Sequence, residues 1–451
     1  MASVARYTKA LSGTLCALLI AVGPPAEAGQ SGLPAPVTEA DFPEHSSEEV
    51  KLGQLLFYDA ILSGNRNIAC ATCHHPRFAT SDGLSLGLGE GATGLGPERR
   101  ALADNAPEQR IPRNSPALFN LGAREFTVMF HDGRIEADPS RPSGLRTPLE
   151  EEMVRGFDGI LSAQTMFPVL SPDEMAGHYQ ENEIAKAVRQ GLLTGESGAW
   201  GLISARVAAI PAYADRFAAV YPEIAEGREI AFTDISNAIA AFIDVEWRSI
   251  DSPFDAYLRS EGTLDPAAMR GMSLFYGAAG CVSCHSGPFQ TDHGFHAMGQ
   301  PQLGPGKAER FESHQRDVGR MRVTGRLEDA YAFRTPSLRN VTRTGPWGHA
   351  GAYSDLADFL RHHGDPVAGL AAYAPQAVLP DLQDTKPDWA ILTTPSELDE
   401  ISAAVTRHAP PLSEAEIGDI IAFLESLTDP AALDGRLGIP DDVPSGLPVE
   451  H

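Results

Sequence analysis

Cysteine and histidine recur in this chain in one fixed pattern, Cys70-Ala-Thr-Cys73-His74 and Cys281-Val-Ser-Cys284-His285. Cys-x-x-Cys-His is the spacing of c-type haem attachment. Two thiols tether the porphyrin vinyl groups, and the adjacent imidazole becomes an axial iron ligand. A zinc site is the other reading of paired Cys-x-x-Cys. The histidine that trails both pairs, and the 207 residues between them, favour two haem c groups. The remaining cysteine, Cys16, lies in the N-terminal leader, so no thiol is spare for a structural disulfide. His74 and His285 are then the proximal ligands, and the chemistry narrows to electron transfer or redox catalysis.

What sits across each iron decides between those two. An iron with a second protein ligand carries electrons; one with an open face binds peroxide or oxygen. Leu356, Phe359, Leu360 and His363 share one apolar helical face, which directs His363 inward. His362 falls with Asp355 and Asp358 and is expected to point outward. His363 is therefore the candidate distal ligand of the second iron, with Met298 as an alternative, against the reading of an ordinary core histidine. At the first iron, His75 adjoins His74 and cannot reach the opposite face. Residues 76–113 contain neither His nor Met, so this iron is expected to keep an open position.

The elements that position these groups are helical. Ser46-Ser-Glu-Glu49 forms a capping box for a helix running through about Phe57 into the first motif. Asp265-Pro266 starts a second helix, which runs into the second motif. Gly53-Gln-Leu-Leu-Phe-Tyr58 matches Gly271-Met-Ser-Leu-Phe-Tyr276 in register, which implies a duplicated cytochrome-c-like unit. Further helices are expected near 183–193, 213–220 and 233–250, the last with Thr233 as N-cap. Another spans Asp355 to His363 and ends at Gly364. Ser413 caps a C-terminal helix with Ile417, Ile420, Ile421 and Leu424 on its apolar face. Strand signals are few. The fold class is mostly α, with two cytochrome-c-like haem domains and long irregular loops. An N-terminal haem domain covers 29–255, a C-terminal one covers 256–430, and 431–451 is a tail. The Gly-rich stretch 83–112 reads as a mobile or partly ordered loop.

Arg6 and Lys9, the apolar run Ala10 to Val22 and Ala26-Glu27-Ala28 read as a signal peptide over 1–28, which places the mature protein in the periplasm. No later stretch has 18 consecutive apolar residues, so no membrane span is expected. The 451-residue chain has a net charge of −25, or −26 without the leader. Such a surface repels nucleic acid. It steers a basic electron donor, or merely aids solubility.

Several longer motifs carry a family resemblance. They are Leu52-Gly-Gln-Leu-Leu-Phe-Tyr-Asp59, Arg113-Asn-Ser-Pro116, Phe130-His-Asp-Gly-Arg134, Phe333-Arg-Thr-Pro-Ser-Leu-Arg-Asn340 and Thr344-Gly-Pro-Trp-Gly-His349. Over residues 46–430 the chain resembles the bacterial diheme cytochrome c peroxidases, a family that includes the MauG-type diheme oxidases. The resemblance implies a peroxidatic N-terminal haem and an electron-transfer C-terminal haem. It implies Glu174 as the catalytic acid–base and Gln164 as a hydrogen-bond donor to peroxide or to a distal water, since Gln164 and Glu174-Met175 match the family's ten-residue spacing. It also implies a Ca²⁺ ion at Asn114, Thr344 and Pro346, suited to hard oxygen ligands. Family members are often dimers, so a homodimer is an expectation.

Three departures from the family pattern bear on function. The loop after the first motif lacks the histidine that caps the iron in many members, which implies an iron open without reductive activation. His131 stands where the family usually has a Trp that bridges the haems, and it becomes the candidate electron-path residue. His363 stands where the family has Met or Tyr, and bis-His ligation lowers a haem potential relative to His/Met. The leading expectation is a periplasmic peroxidase that reduces hydrogen peroxide to water with electrons from a small cytochrome c or cupredoxin. A MauG-type oxidase of a protein or small molecule is the second expectation, and a non-catalytic diheme electron carrier the third.

Overall fold

Each haem motif is preceded by a helix that crosses a partner helix at a glycine. In the computed structural model, which describes residues 32–150, 156–307 and 314–451, Ser46 Oγ accepts the Glu49 N–H at 3.1 Å and opens the helix Ser47–Tyr58. The Asp265 carboxylate accepts the N–H groups of Ala267 and Ala268 and opens the helix Pro266–Phe275. The first packs on Phe232–Glu246, the second on Glu414–Glu425. A Cβ on Gly53 would lie 1.8 Å from Ala238 O and 2.8 Å from Phe242 Cβ. A Cβ on Gly271 would lie 1.8 Å from Asp419 O and 2.9 Å from Phe423 Cβ. Only a residue without a side chain permits either approach.

The aromatic pair that follows each glycine repeats as well. Phe57 and Tyr58 lie 5.3 and 6.1 Å from the Phe242 ring; Phe275 and Tyr276 lie 5.1 and 5.9 Å from Phe423. The six-residue sequence echo is therefore one packing geometry used twice. Phe57, Phe242, Phe275 and Phe423 are all fully buried, and each such burial contributes on the order of 2–3 kcal/mol.

Pro34–His451 form one unit that contains both crossings. Among the described residues, the remainder is shorter helices, helical turns and three small antiparallel sheets. Val128–Met129, Ile135–Ala137 and Leu145–Arg146 make one; Phe295–His296 pairs with Phe333–Arg334, and Ala92–Thr93 with Arg100–Ala101. Arg113 joins the two halves of the chain. It is buried between Asp132, at 2.8 Å, and Asp317, at 2.6 and 2.8 Å. Among the described residues, no helix is long and apolar enough to cross a membrane. The leader read at 1–28 lies outside the described residues.

Several expectations are corrected. The helix expected at 233–250 is Phe232–Glu246, and its N-cap is Ala231, not Thr233. The Asp234 carboxylate, which receives the Ala231 N–H at 2.8 Å, fixes that start. The helix near 183–193 is confined to Glu183–Arg189. In Glu414–Glu425, Phe423 joins the buried face while Ile421 is only half-buried.

The stretch 83–112 is not a loose loop. Leu84, Leu86 and Leu88 are at most 1% exposed. The Arg99 guanidinium donates to the carbonyls of Leu88, Gly89, Ala92 and Gly94, and Arg110 pairs with Asp388 at 2.9 Å. Saturating one buried arginine with backbone carbonyls fixes a glycine-rich segment whose own composition encodes no regular structure.

Residues 431–451 likewise fold back onto the first repeat. The Glu246 carboxylate accepts Leu437 and Gly438 N–H, and Gln54 donates to Gly438 O at 2.7 Å. Ser445 Oγ donates to Asp59, and Thr72, between the two cysteines of the first motif, donates to Glu450 at 2.7 Å.

Candidate active site

At the first motif, Cys70–Cys73 form a single helical turn and His74 follows as its C-cap. His74 Nδ1 lies 3.0 Å from Thr80 O and 3.3 Å from Ser115 Oγ, so Nε2 is the nitrogen left for a metal. Fixing one ring nitrogen on a carbonyl sets the tautomer and orientation a ligating histidine needs. The two cysteines are free thiols, and burial pushes both up to about 12. His75 is buried and accepts the Arg77 N–H, away from any role opposite His74.

The second motif opens on a cavity of about 700 Å³ lined by Cys281, Cys284, His285, Met298 and His363. His285 Nδ1 is tied to Gln290 O at 3.1 Å and His363 Nδ1 to Phe359 O at 2.8 Å, leaving both Nε2 atoms. Burial, and then His363 across the cavity, lower His285 to about 4. Both imidazoles are thus neutral at pH 7, the form that ligates.

The same cavity continues to Asn114, Phe130, His131, Gln164, Arg334, Thr344, Pro346 and His349. The structure thus brings Gln164, the three residues expected at calcium, His131 and the second motif to one space. Cys70, Cys73, His74 and Glu174 do not line it.

His131 Nε2 is 3.1 Å from Asn114 O, and burial beside Arg113 holds it down at about 4. Asn114 Nδ2 donates to Leu84 O at 2.7 Å, which leaves its side-chain oxygen for a cation. Gln164 sits on the short helix Ile160–Thr165, and its Oε1 is buried with no protein partner. Glu174 sits on the turn Pro172–Ala176, one turn beyond Pro168–Leu170, and that turn is capped by Ser171. Burial raises the Glu174 carboxyl; Lys307 and Arg134 oppose that rise and Asp173 adds to it.

His362 is a correction. It is 2% exposed, with Tyr353 Oη at 3.0 Å from Nδ1 and Met298 O at 2.8 Å from Nε2. Helical phase put it outward because the groups that satisfy it arrive from other segments. With both its nitrogens engaged, His362 is not available to an iron, and of these two neighbours it is His363 that lines the cavity.

Haem fits the residues present. Arg334 is half-buried and lines the cavity; among the described residues its guanidinium meets the carbonyls of Phe130 and Thr335 and no carboxylate, and desolvation lowers it to about 10. A desolvated guanidinium without a carboxylate needs an anion, and a haem propionate is one. The orphaned Gln164 Oε1 and the buried, unpartnered His349 Nε2 in the same space are further polar atoms awaiting an occupant. Arg334 and His349 lie within the motifs quoted above, but neither stands out by spacing. The signal for Arg334 is an arginine in a segment that offers no neighbouring acid.

Cys284, Asp292 and His296 also cluster within 4.8 Å, as a metal site would. Cys284 is a haem-attachment thiol, so this cluster does not compete with haem.

Comparisons with known proteins agree with this geometry. Residues 47–263 match the family model described as di-haem cytochrome c peroxidase. The chain is 28% identical over 390 residues to methylamine utilization protein MauG of Methylorubrum extorquens, covering 86% of this chain and 80% of that protein. It is 26% identical over 338 residues to cytochrome c551 peroxidase of Pseudomonas aeruginosa, covering 75% and 78%. A solved MauG-like protein associated with microbial copper homeostasis superposes with a TM-score of 0.55 at 26% identity, over 90% of this chain and 96% of that one. The diheme peroxidase BthA of Burkholderia thailandensis shares the fold, with a TM-score of 0.57 at 20% identity over 86% and 88%. The paired haem motifs and the doubled glycine crossing accord with these matches: the chain is similar to the di-haem cytochrome c peroxidases, whose family model matches residues 47–263.

Proposed function

We propose that this protein is a periplasmic peroxidase in which residues 29–255 hold the peroxidatic haem and 256–430 the electron-transfer haem. The observation that carries the reading is an asymmetry. His363 shares a cavity with His285, whereas the first motif has a carboxylate, Glu174, whose charge is felt at Cys73; the unpartnered Gln164 amide oxygen lines the cavity that continues from the second motif. The haems, when bound, supply the iron and the electrons.

The protein's own groups do the rest. His74 would ligate the first haem iron, and His285 with His363 the second. Gln164 orients peroxide. Glu174 accepts a proton from one peroxide oxygen and returns it to the other, so that with two electrons and two protons both oxygens leave as water. Glu174 is suited to this because burial raises its carboxyl toward the working pH. Asn114 with Thr344 and Pro346 would hold Ca²⁺ between the halves. His131, between Arg113 and Arg334, lies on the electron path.

The electron donor is a small basic cytochrome c or a cupredoxin, drawn by the acidic surface. In steady state, the holoprotein should oxidise two equivalents of a reduced small cytochrome c per peroxide. Peroxide consumption with no donor oxidised would overturn the peroxidase reading. The MauG-type reading is favoured by the absence of His and Met from residues 76–113. It predicts a long-lived oxidised spectrum when peroxide meets the ferric protein without a reductant.

A further inference from the structure

The two copies of the haem-attachment turn differ in what lies over them. Between the paired cysteines stand Ala71-Thr72 in the first copy and Val282-Ser283 in the second, with a hydroxyl at the same place in each. The thioether bonds run to the vinyl groups on one edge of the porphyrin, so these residues mark the edge of each haem. Ala71 and Thr72 are 2% and 1% exposed, whereas no residue of Cys281–Ser283 is buried and Ser283 is exposed. The cover of the first turn arrives from far along the chain. Thr72 Oγ accepts the Ala69 N–H at 3.0 Å and donates to Glu450 Oε2 at 2.7 Å. Among the described residues, the Ser283 hydroxyl meets only Cys284 Sγ, at 3.8 Å.

The segment that brings Glu450 is anchored along its length. It leaves the helix Pro430–Asp434 at Gly435, φ +75°, where a Cβ would lie 2.4 Å from Glu246 Oε1. Arg436 donates to the carbonyls of Glu246 and Arg248, and the Glu246 carboxylate takes the next two N–H groups. Val443 is buried, and Ile439, Leu447 and Val449 pack against the core cluster that contains Leu56, Phe57 and Phe242. Ser445 Oγ accepts the Leu447 N–H at 3.1 Å and donates to Asp59 at 2.7 Å. The anchors at Glu246 and Gln54 fasten the segment to the first repeat; its continuation to Thr72 reaches the attachment turn itself.

We propose that residues 436–450 are an insulating strap, which closes the edge of the first haem to a docking redox protein and leaves the uncovered Cys281–Cys284 turn as the place where electrons enter. The protein shell around a metal centre controls what reaches it. The event that the strap prevents is the passage of one electron from a reduced protein donor to the ferric iron of the first haem; no atom or proton moves with it. A centre that handles a strong oxidant is thereby also kept from oxidising proteins that collide with that edge. This role rests on the proposed division between the haems, with peroxide at the first and electron entry at the second.

Zinc-substituted cytochrome c supplies the probe, because a laser flash turns its porphyrin into a protein-sized one-electron donor, and its basic surface suits this acidic chain. Absorbance after the flash follows both haems of the holoprotein. In the wild type, the first haem should be reduced only after the second, at a rate independent of donor concentration. In a chain ended after Pro440, which keeps the Glu246 and Gln54 anchors, this lag should be lost, and reduction of the first haem should become proportional to donor concentration. The full-length variant Ser445→Ala/Leu447→Asp/Glu450→Gln should behave in the same way, with hydrogen exchange of residues 443–450 showing that the strap is released. A donor-dependent first haem in the wild type overturns the proposal. So does a lag that persists in either variant with both haems attached and the strap absent or freely exchanging. Loss of the lag in variants of a protein that oxidises no donor with peroxide would instead overturn the peroxidase reading and leave the strap standing.

Discussion

Replacing Glu174 by Gln is expected to lower kcat for peroxide by about 10²–10⁴-fold, the usual worth of a positioned acid–base group. The amide keeps the size of the side chain and its place on the Pro172–Ala176 turn, whose backbone is held by Ser171 and by the packing of Gly89. It removes only the proton acceptor. Haem attachment depends on Cys70, Cys73, Cys281 and Cys284 and should be complete in the variant, read from the absorption spectrum of the pyridine adduct. Near-normal peroxide turnover in Glu174→Gln would mean that another group moves the proton.

The second large effect is structural. Arg113→Met should destabilise the folded protein by about 3–5 kcal/mol, the cost of leaving a buried charge without its partner. Among the described residues, Asp317 would then be buried with the Gly319 N–H as its remaining side-chain hydrogen-bond donor. The sign of the pH dependence should also change. Burial alone would raise Asp317, but Arg113 overrides it and holds the carboxyl far below the usual range. In the wild type, this pair therefore contributes its full stability above about pH 4, where the unfolded carboxyl is ionised, and loses it as the pH falls through the lower folded value. In Arg113→Met the isolated carboxyl is raised instead, so acidification from pH 7 toward pH 5 should recover stability. Denaturant unfolding at several pH values measures both effects. Equal stability of the two proteins at pH 7 would show that Asp132 and Asp317 find other partners.

The duplicated unit was legible because its determinants are local. A cap, a glycine four residues before an aromatic pair, and Cys-x-x-Cys-His all lie within about thirty residues of each other in both copies. Helical phase also selected His363 correctly as a cavity-facing side chain, since that depends only on Leu356, Phe359 and Leu360 on its own helix. The same argument failed at His362, one residue earlier, because its hydrogen-bond partners come from Tyr353 and from the Met298 carbonyl of a distant segment.

The stretch 83–112 was misread for a related reason. Its glycines suggest freedom, yet Leu84, Leu86 and Leu88 alternate with small residues, and that period-two pattern was the available sign of a buried extended segment. The return of residues 436–450 to Glu246, Asp59 and Thr72 has no local signal at all, because each contact joins residues at least 191 positions apart. Arg334 belongs to the same class. Its role is set by what lies around it after folding, so spacing alone does not mark it.

One measurement bears most directly on the difference between the two metal centres. Electron paramagnetic resonance of the fully oxidised holoprotein should show equal amounts of one high-spin and one low-spin ferric haem, with the low-spin signal lost or altered in His363→Gly. Two low-spin signals of equal weight would mean that both irons are closed by side chains, and the assignment of a peroxide site beside Glu174 would be contradicted.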